Sequence, residues 1–425
     1  MGLAHVAAAL RHAGHRVWGC DLAFEGRLLP QLVGDIRPEL VGITVRCDTL
    51  GQLPAAVQTV QAAYRSSGAR LRLLVLGGPG ISTSGPAIAQ VLRPTGVPTA
   101  AVIGEGETPI VELARALSSH APDLPPGAVT LDEPPPLWPQ PRIEEDLSLL
   151  PPADYTLFPV TRYNRRGTLS LCYPYAPMVT SRGCVHDCPF CAAPRLSGGK
   201  WRPLPPLSVV REMERLRRLG ILDIHIEDDD FLHDAARVEE ICARLRARGL
   251  DLVWECMNGV RPDHLTSRLV RALANGGCVS VTLGIETLNP AAAGVLGRAA
   301  DEPHLKQIVA ELRSAGLVVG GYFMLGLPGE SLEDACHTVA TALRLGLDLA
   351  QFSIFQPVPG SAWEGTKRAD PMQLAQLCSL RRRAYLRFYL RPQVLARLAR
   401  RIDRHTVDLI LRRALRILGG SSAWM

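Results

Sequence analysis

The chain has no uninterrupted apolar span of membrane-crossing length, and its amino terminus, Met1-Gly-Leu-Ala-His, lacks a basic segment followed by an apolar core. Neither a transmembrane helix nor a secretory leader is therefore expected, and the cytoplasm is the default compartment. A disulfide framework is missing too: eleven cysteines are an odd number, scattered apart from one group, so the thiols are expected to be reduced. The net charge of +6 is spread unevenly, with Arg381 to Arg383, Arg387, Arg391, Arg397, Arg400, Arg401, Arg404, Arg412, Arg413 and Arg416 crowding the carboxyl end. These arginines alternate with leucines at helical spacing, which reads as the solvated face of a terminal helical bundle and not as a nucleic-acid surface. What remains, 425 residues at 47% hydrophobic and 21% charged, is the composition of a globular protein of two or three domains.

The pattern along the chain is α/β. Over residues 1–122 short β-branched runs alternate with amphipathic stretches, as in a doubly wound, Rossmann-like parallel sheet. Strands are expected over 16–20, 40–45, 71–76 and 99–103, and helices over 3–13, 53–66, 85–92 and 108–118. Such a sheet normally opens on a central strand, whereas this chain opens on a helix. The first strand is therefore expected to be missing, because the true start lies upstream of Met1 or because the domain is impaired. Gly77-Gly-Pro-Gly-Ile-Ser-Thr83 and Gly104-Glu-Gly-Glu-Thr108 stand where such sheets carry ligand loops, although glycines there also serve tight turn geometry alone.

Residues 123–170 form a proline-rich connector and a domain boundary. Its Leu147, Leu149, Leu150, Tyr155 and Phe158 are expected to pack as a strap across the second domain. Over residues 171–365 βα alternation resumes, with strands expected over 177–180, 221–226, 252–256, 279–284, 318–325 and 349–355, and helices such as 208–219, 235–248 and 265–275. Six successive units point to a partial (β/α)6 barrel, whose chemistry gathers at the carboxyl ends of its strands. Residues 366–425 read as a helical region, continuing to about Leu418.

At the end of the first barrel strand, Ser181-Arg-Gly-Cys-Val-His-Asp-Cys-Pro-Phe-Cys-Ala192 places three thiols, Cys184, Cys188 and Cys191, within eight residues. Three cysteines at this spacing hold one iron–sulfur cluster but leave one iron of a cubane without a local thiolate. An iron left open in this way can bind and activate a small molecule. A zinc site or a purely structural iron–sulfur site is the alternative. The spacing, with Phe190 before the third cysteine, resembles the signature loop of the radical S-adenosylmethionine (SAM) superfamily. That resemblance implies a [4Fe-4S] cluster whose open iron is chelated by SAM, and reductive cleavage of SAM to methionine and a 5′-deoxyadenosyl radical.

Further stretches carry the resemblance in the family's order. Ile224-His-Ile-Glu-Asp-Asp-Asp-Phe231 stands where relatives contact the SAM amino group, implying roles for Glu227, Asp228 and Asp229; a plain acidic surface loop is the other reading. Leu283-Gly-Ile-Glu-Thr287 is similar to the family's Gly-Ile-Glu element, which implies that Glu286 bonds the SAM ribose or amino acid, with Arg298 where relatives carry a basic residue. Gly320-Gly-Tyr-Phe-Met-Leu-Gly-Leu-Pro-Gly-Glu330 resembles the element lining the adenine and implicates Gly326 and Pro328; Phe352-Ser-Ile-Phe-Gln-Pro-Val-Pro-Gly-Ser361 resembles the sixth strand and its turn. Asp230, Cys256 and Tyr322 sit at or near strand ends and are candidate hydrogen or proton donors.

The amino-terminal domain resembles the cobalamin-binding domain of one branch of the superfamily, which implies cobalamin contacts at Gly77, Gly78, Ser82, Thr83, Gly104 and Glu105. It departs from that pattern in lacking the Asp-x-His-x-x-Gly element, with Ala23 at the histidine position, and in carrying Gly80 where relatives carry histidine. The function implied is cobalamin-dependent methyl transfer to an unactivated carbon of a small-molecule metabolite, with flavodoxin or ferredoxin as electron donor. The alternatives are a cobalamin-independent radical SAM dehydratase, rearrangement or cyclisation enzyme, and a non-enzymatic iron–sulfur electron carrier. No membrane or nucleic-acid partner is expected.

Overall fold

Leu73 to Leu76 are buried on both faces of one strand, and the cores of the first sheet form around them. The structure, a computed structural model, describes residues 1–85, 88, 96–119, 124–132, 138–165, 171–298, 301–367 and 369–399. Side chains alternate across a strand. Accordingly Leu74 and Leu76 pack on one face with Val45, Leu53, Val57, Ile81 and Ile103, while Leu73 and Val75 pack on the other with Val102, Ile110 and Leu113. The strand order is Leu40–Thr44, Leu73–Gly77, Thr99–Val102, Ala128–Thr130, the first three parallel and the last antiparallel to its neighbour. Helices Gly2–His12, Leu53–Ser67 and Glu107–Ser119 form where the apolar periodicity places them.

The strand expected over 16–20 does not form; the chain there has no regular structure. The segment packs closely against the connector instead, where a Cβ on Gly19 would come within 2.6 Å of the Leu157 carbonyl oxygen and 2.9 Å of the Phe158 ring. The helix expected over 85–92 falls largely outside the described residues, as does the end of the chain from residue 400.

By its contacts the chain divides into two units, one of Met1–Pro159, Cys191–Arg202 and Val358–Ser361, the other of Val160–Phe190, Pro203–Pro357 and Ala362–Met425. The connector up to Pro159 thus belongs to the first unit. Its Leu147, Ala153 and Tyr155 are buried, Asp154 donates its amide to the Ala4 carbonyl at 2.8 Å, and its carboxylate meets Arg11 at 2.5 Å. The strap expected to lie across the second domain is fastened to the helix Gly2–His12.

In the second unit all six expected strands form one parallel sheet in chain order: Tyr175–Met178, Asp223–Ile226, Val253–Val260, Cys278–Glu286, Val318–Leu325 and Leu349–Ile354. Helices Ala235–Arg248, Ser267–Asn275, Glu302–Ser314 and Leu332–Arg344 begin where a side chain accepts an amide proton at the N-cap, at Asp234, Thr266, Asp301 and Ser331. The sixth strand is covered by the helix Pro371–Tyr389, so the expected carboxyl-terminal region begins as part of this unit. Two tyrosines one turn apart on that helix reach the strand backbone. Tyr385 Oη accepts from the Phe352 amide at 3.1 Å, and Tyr389 Oη accepts from the Ala350 amide at 3.1 Å and donates to the Ala350 carbonyl at 3.0 Å.

Candidate active site

After Met178 the chain enters the loop that carries Cys184 and Cys188, and the acids ending the second strand hold that loop. Asp228 is buried; it accepts from the Thr180 amide at 2.5 Å, from the Thr180 hydroxyl at 2.6 Å and from the Ser181 hydroxyl at 2.6 Å. Burial pushes its carboxyl up to about 6 against the pull of those hydrogen bonds. Arg237 donates to the Thr180 carbonyl at 2.7 Å and closes the brace. The carboxylate of Asp228, expected to meet SAM, is thus engaged with the protein. Asp229 is exposed and accepts from the Gly183 amide at 3.0 Å, and Glu227 is half-buried. Asn258, on the third strand, donates to the Asp228 carbonyl at 3.0 Å and fixes the backbone of this acidic turn.

Asp230 points among three imidazoles, with His186 Nε2 at 3.3 Å, His233 Nδ1 at 3.3 Å and His264 Nδ1 at 3.6 Å. Burial works to raise its carboxyl, and His264 with the other imidazoles holds it below the ordinary range. Cys184, His186 and Asp230 bring ligand atoms within 4.8 Å of one another. None of the three cysteines is disulfide-bonded; Cys188 is buried and Cys184 and Cys191 are partly so. Cys191 Sγ accepts from the Ala193 amide at 3.4 Å, where the short helix Ala193–Ser197 begins. Phe190 packs with Leu296, Leu327, Phe355 and Trp363 in an apolar cluster, which gives the loop an aromatic seat.

The fourth strand ends on a bulge at Gly284–Glu286, and Glu286 takes a left-handed backbone at φ 68°. A non-glycine residue there is strained, a condition that concentrates at functional sites. Its carboxylate is largely enclosed, and burial pushes it up to about 7 against the pull of Arg298. Arg298 donates to the Gly284 carbonyl at 3.0 Å and stands 3.9 Å from Glu286. Among the described residues Arg298 Nε is a buried polar atom without a hydrogen-bond partner. Buried polar groups in native proteins have partners. Three thiols outside any disulfide, a strained carboxylate and this unpartnered guanidinium nitrogen fit an iron–sulfur cluster with a zwitterionic ligand.

The fifth strand ends in a turn closed by Glu330, which accepts from the Gly326 amide at 2.5 Å and the Leu327 amide at 3.0 Å. Gly326 has φ 77°, and a Cβ there would lie 2.5 Å from Leu377 Cδ1. The turn containing Pro328 is set by these contacts. Two of the expected donors are engaged elsewhere. The Tyr322 hydroxyl donates to the Met257 carbonyl at 2.6 Å and burial pushes it up to about 12, so it holds its proton at neutral pH. Cys256 is fully buried, and its hydrogen bond with Cys278 together with burial raises its thiol well above the ordinary range. It is a packing residue.

In the first unit the two glycine loops are engaged internally. Glu105 receives Arg202 at 2.7 and 3.0 Å and the Glu144 amide at 2.7 Å. Ser82 Oγ accepts from the Gly104 amide at 2.8 Å and Thr83 Oγ1 donates to the Pro79 carbonyl at 2.8 Å, both side chains being buried. Gly78 at φ 99° lies against the Val45 backbone and Gly104 at φ 91° against that of Arg142. A Cβ on Gly77 would meet nothing within 4 Å. These side chains brace the loops from within the unit.

Sequence reasoning missed Asn258, His233 and His264, which lie outside the matched motifs. His186 carried a signal of its own, as an imidazole inside the cysteine loop.

A parallel six-stranded partial barrel with a three-cysteine loop after its first strand and a strained Gly-Ile-Glu bulge after its fourth is the radical SAM architecture. Residues 178–342 match the radical SAM superfamily profile. Over this segment the chain carries a radical SAM domain. An uncharacterized methyltransferase of Pyrococcus horikoshii is 28% identical over 93% of this chain and 88% of its own length. Among solved structures, the radical SAM methyltransferase TsrM of Kitasatospora setae, with tryptophan and a SAM analogue bound, superposes with a TM-score of 0.71 at 22% identity, covering 87% of this chain and 74% of that one. OxsB, a cobalamin-dependent SAM radical enzyme with aqua-cobalamin and SAM bound, superposes with a TM-score of 0.66 at 18% identity over 83% of this chain and half, 50%, of its own. Among the described residues no helix is long and apolar enough to cross a membrane.

Proposed function

We propose that this enzyme methylates an unactivated carbon of a small-molecule metabolite, using a [4Fe-4S] cluster, SAM and cobalamin, with a flavodoxin or ferredoxin as electron donor in the cytoplasm. The observation that carries the site is the strained, enclosed Glu286 with the unpartnered Arg298 Nε beside it. Methyl transfer is supported by the likeness to a protein named as a methyltransferase over 93% of the chain, and by the fold shared with TsrM. Cys184, Cys188 and Cys191 would hold the cluster, and Glu286 and Arg298 would orient the amino-acid and ribose groups of SAM. When bound, the cluster and SAM supply one-electron cleavage of the sulfonium to methionine and a 5′-deoxyadenosyl radical, and cobalamin supplies the methyl carrier. The protein's part is to hold the cysteine loop rigid through Asp228 and Arg237 and to seat Phe190 in its apolar cluster.

One observation favours a second reading, a cobalamin-independent dehydration, rearrangement or cyclisation. Ser82, Thr83 and Glu105 are all engaged within their own domain. One experiment separates the readings: the anaerobically reconstituted protein is incubated with SAM, dithionite and hydroxocobalamin. 5′-Deoxyadenosine in wild type but not in Cys188→Ala, with a stoichiometric corrinoid absorbance band, is the expected result. Cleavage without the band selects the second reading, and equal background in both proteins rejects radical SAM chemistry.

A further inference from the structure

At the opposite ends of the barrel strands from the cysteine loop lies a second group of ligating side chains. Asp223 opens the second strand and His225 follows two residues later on the same face; Glu255, on the third strand, is the register partner of His225. All three are at most 2% exposed. His225 Nε2 stands 3.5 Å from Glu255 Oε1 and 3.7 Å from Asp223 Oδ2, and their ligand atoms all lie within 4.8 Å of one another.

Those separations lie at and beyond the long limit of a hydrogen bond, whose usual N–O distance is about 2.7–3.2 Å. His225 Nε2 accordingly has no hydrogen-bond partner among the described residues although it is buried and aimed at both carboxylates. The separations do match the edge of a coordination tetrahedron, about 3.4 Å for bonds near 2.1 Å. The surroundings orient the donors as an outer shell would. The Leu171 amide donates to Glu255 Oε1 at 2.9 Å, the Cys172 amide to Asp223 Oδ2 at 3.3 Å, and the Tyr175 ring stacks on the imidazole at a centroid distance of 4.5 Å. Two buried carboxylates beside one imidazole also need compensating charge, which a divalent cation would supply.

We propose that Asp223, His225 and Glu255 bind one first-row divalent cation of the zinc type, which clips the segment 171–178 to the second and third strands at the floor of the barrel. The mixed nitrogen and oxygen donor set suits zinc better than calcium or magnesium, which take oxygen ligands. A water completes the coordination.

The test uses the full chain. Wild type reconstituted with iron and sulfide is expected to carry one equivalent of zinc besides its cluster iron, by elemental analysis after exposure to Zn²⁺ and desalting. Glu255→Gln and His225→Phe are expected to keep the cluster iron and lose at least nine-tenths of the zinc. To guard against misfolding of these variants, the Cys184→Ala/Cys188→Ala/Cys191→Ala protein is titrated with Co²⁺, whose visible bands are expected to saturate at one equivalent and to disappear on adding Zn²⁺. Wild type and the triple variant both binding less than a tenth of an equivalent would overturn the proposal. Zinc retained in Glu255→Gln and His225→Phe would do the same.

Discussion

Glu286 combines two costs in one residue, a left-handed backbone and an enclosed carboxylate raised to about 7. Its ordinary value is 4.5, so between about pH 4.5 and 7 the folded chain holds a proton that the unfolded chain has released. Stability from this group is therefore greatest below pH 4.5 and falls as pH rises through 7, by a total on the order of 3 kcal/mol. Glu286→Gln removes the titration. Denaturant unfolding is expected to show it more stable than wild type by about 1–3 kcal/mol at pH 8 and nearly equal at pH 4.5, with at least tenfold weaker SAM binding in the reconstituted protein. A gain of the same size at both pH values would mean that the carboxylate is not its source. Gly-Ile-Glu was legible in the sequence; the positive φ that makes it costly depends on the bulge, which no periodicity reports. The acids 227–230 were equally legible as a group. Which of them turns inward depends on where Thr180 and Ser181 fall, a tertiary fact.

Among the elements, the six barrel strands were readable because each is a β-branched or apolar run bounded by turn residues. Val318–Leu325 came out with both expected ends. At 16–20 a run that looks like a strand lies instead against the connector at Leu157 and Phe158, a long-range contact with no local signature. Turn glycines were legible as turns, yet their partners were not. Gly326 is required twice, by φ 77° and by Leu377 Cδ1 at 2.5 Å from a would-be Cβ. Gly326→Ala is expected to destabilise the protein by about 2–4 kcal/mol, from αL strain and overpacking. In the Leu377→Ala background its cost should shrink to the backbone strain, about 1–2 kcal/mol. An undiminished cost in that background would show that the helix Pro371–Tyr389 does not press on this turn.

For the whole molecule, the sequence showed two sheets and a proline-rich passage between them but not to which unit the passage belongs. The Arg11–Asp154 pair and the buried Leu147 and Tyr155 are long-range contacts without a local signature. A second long-range feature bears on how the molecule behaves in concentrated solution. An incomplete barrel leaves a final strand with free backbone groups, the template on which a foreign strand can add and grow. Here the phenol oxygens of Tyr385 and Tyr389 occupy that ladder at residues 350 and 352. Resistance to strand addition therefore resides in two neutral hydroxyls, and added salt should leave it intact. Tyr385→Phe/Tyr389→Phe keeps both rings but empties the ladder. Light scattering is expected to show concentration-dependent association of this variant at any ionic strength while wild type stays monodisperse, and a monodisperse variant would place the barrier elsewhere. The helix that carries Arg381 to Arg383 and Arg387 thus guards the edge of the sheet through two of its tyrosines.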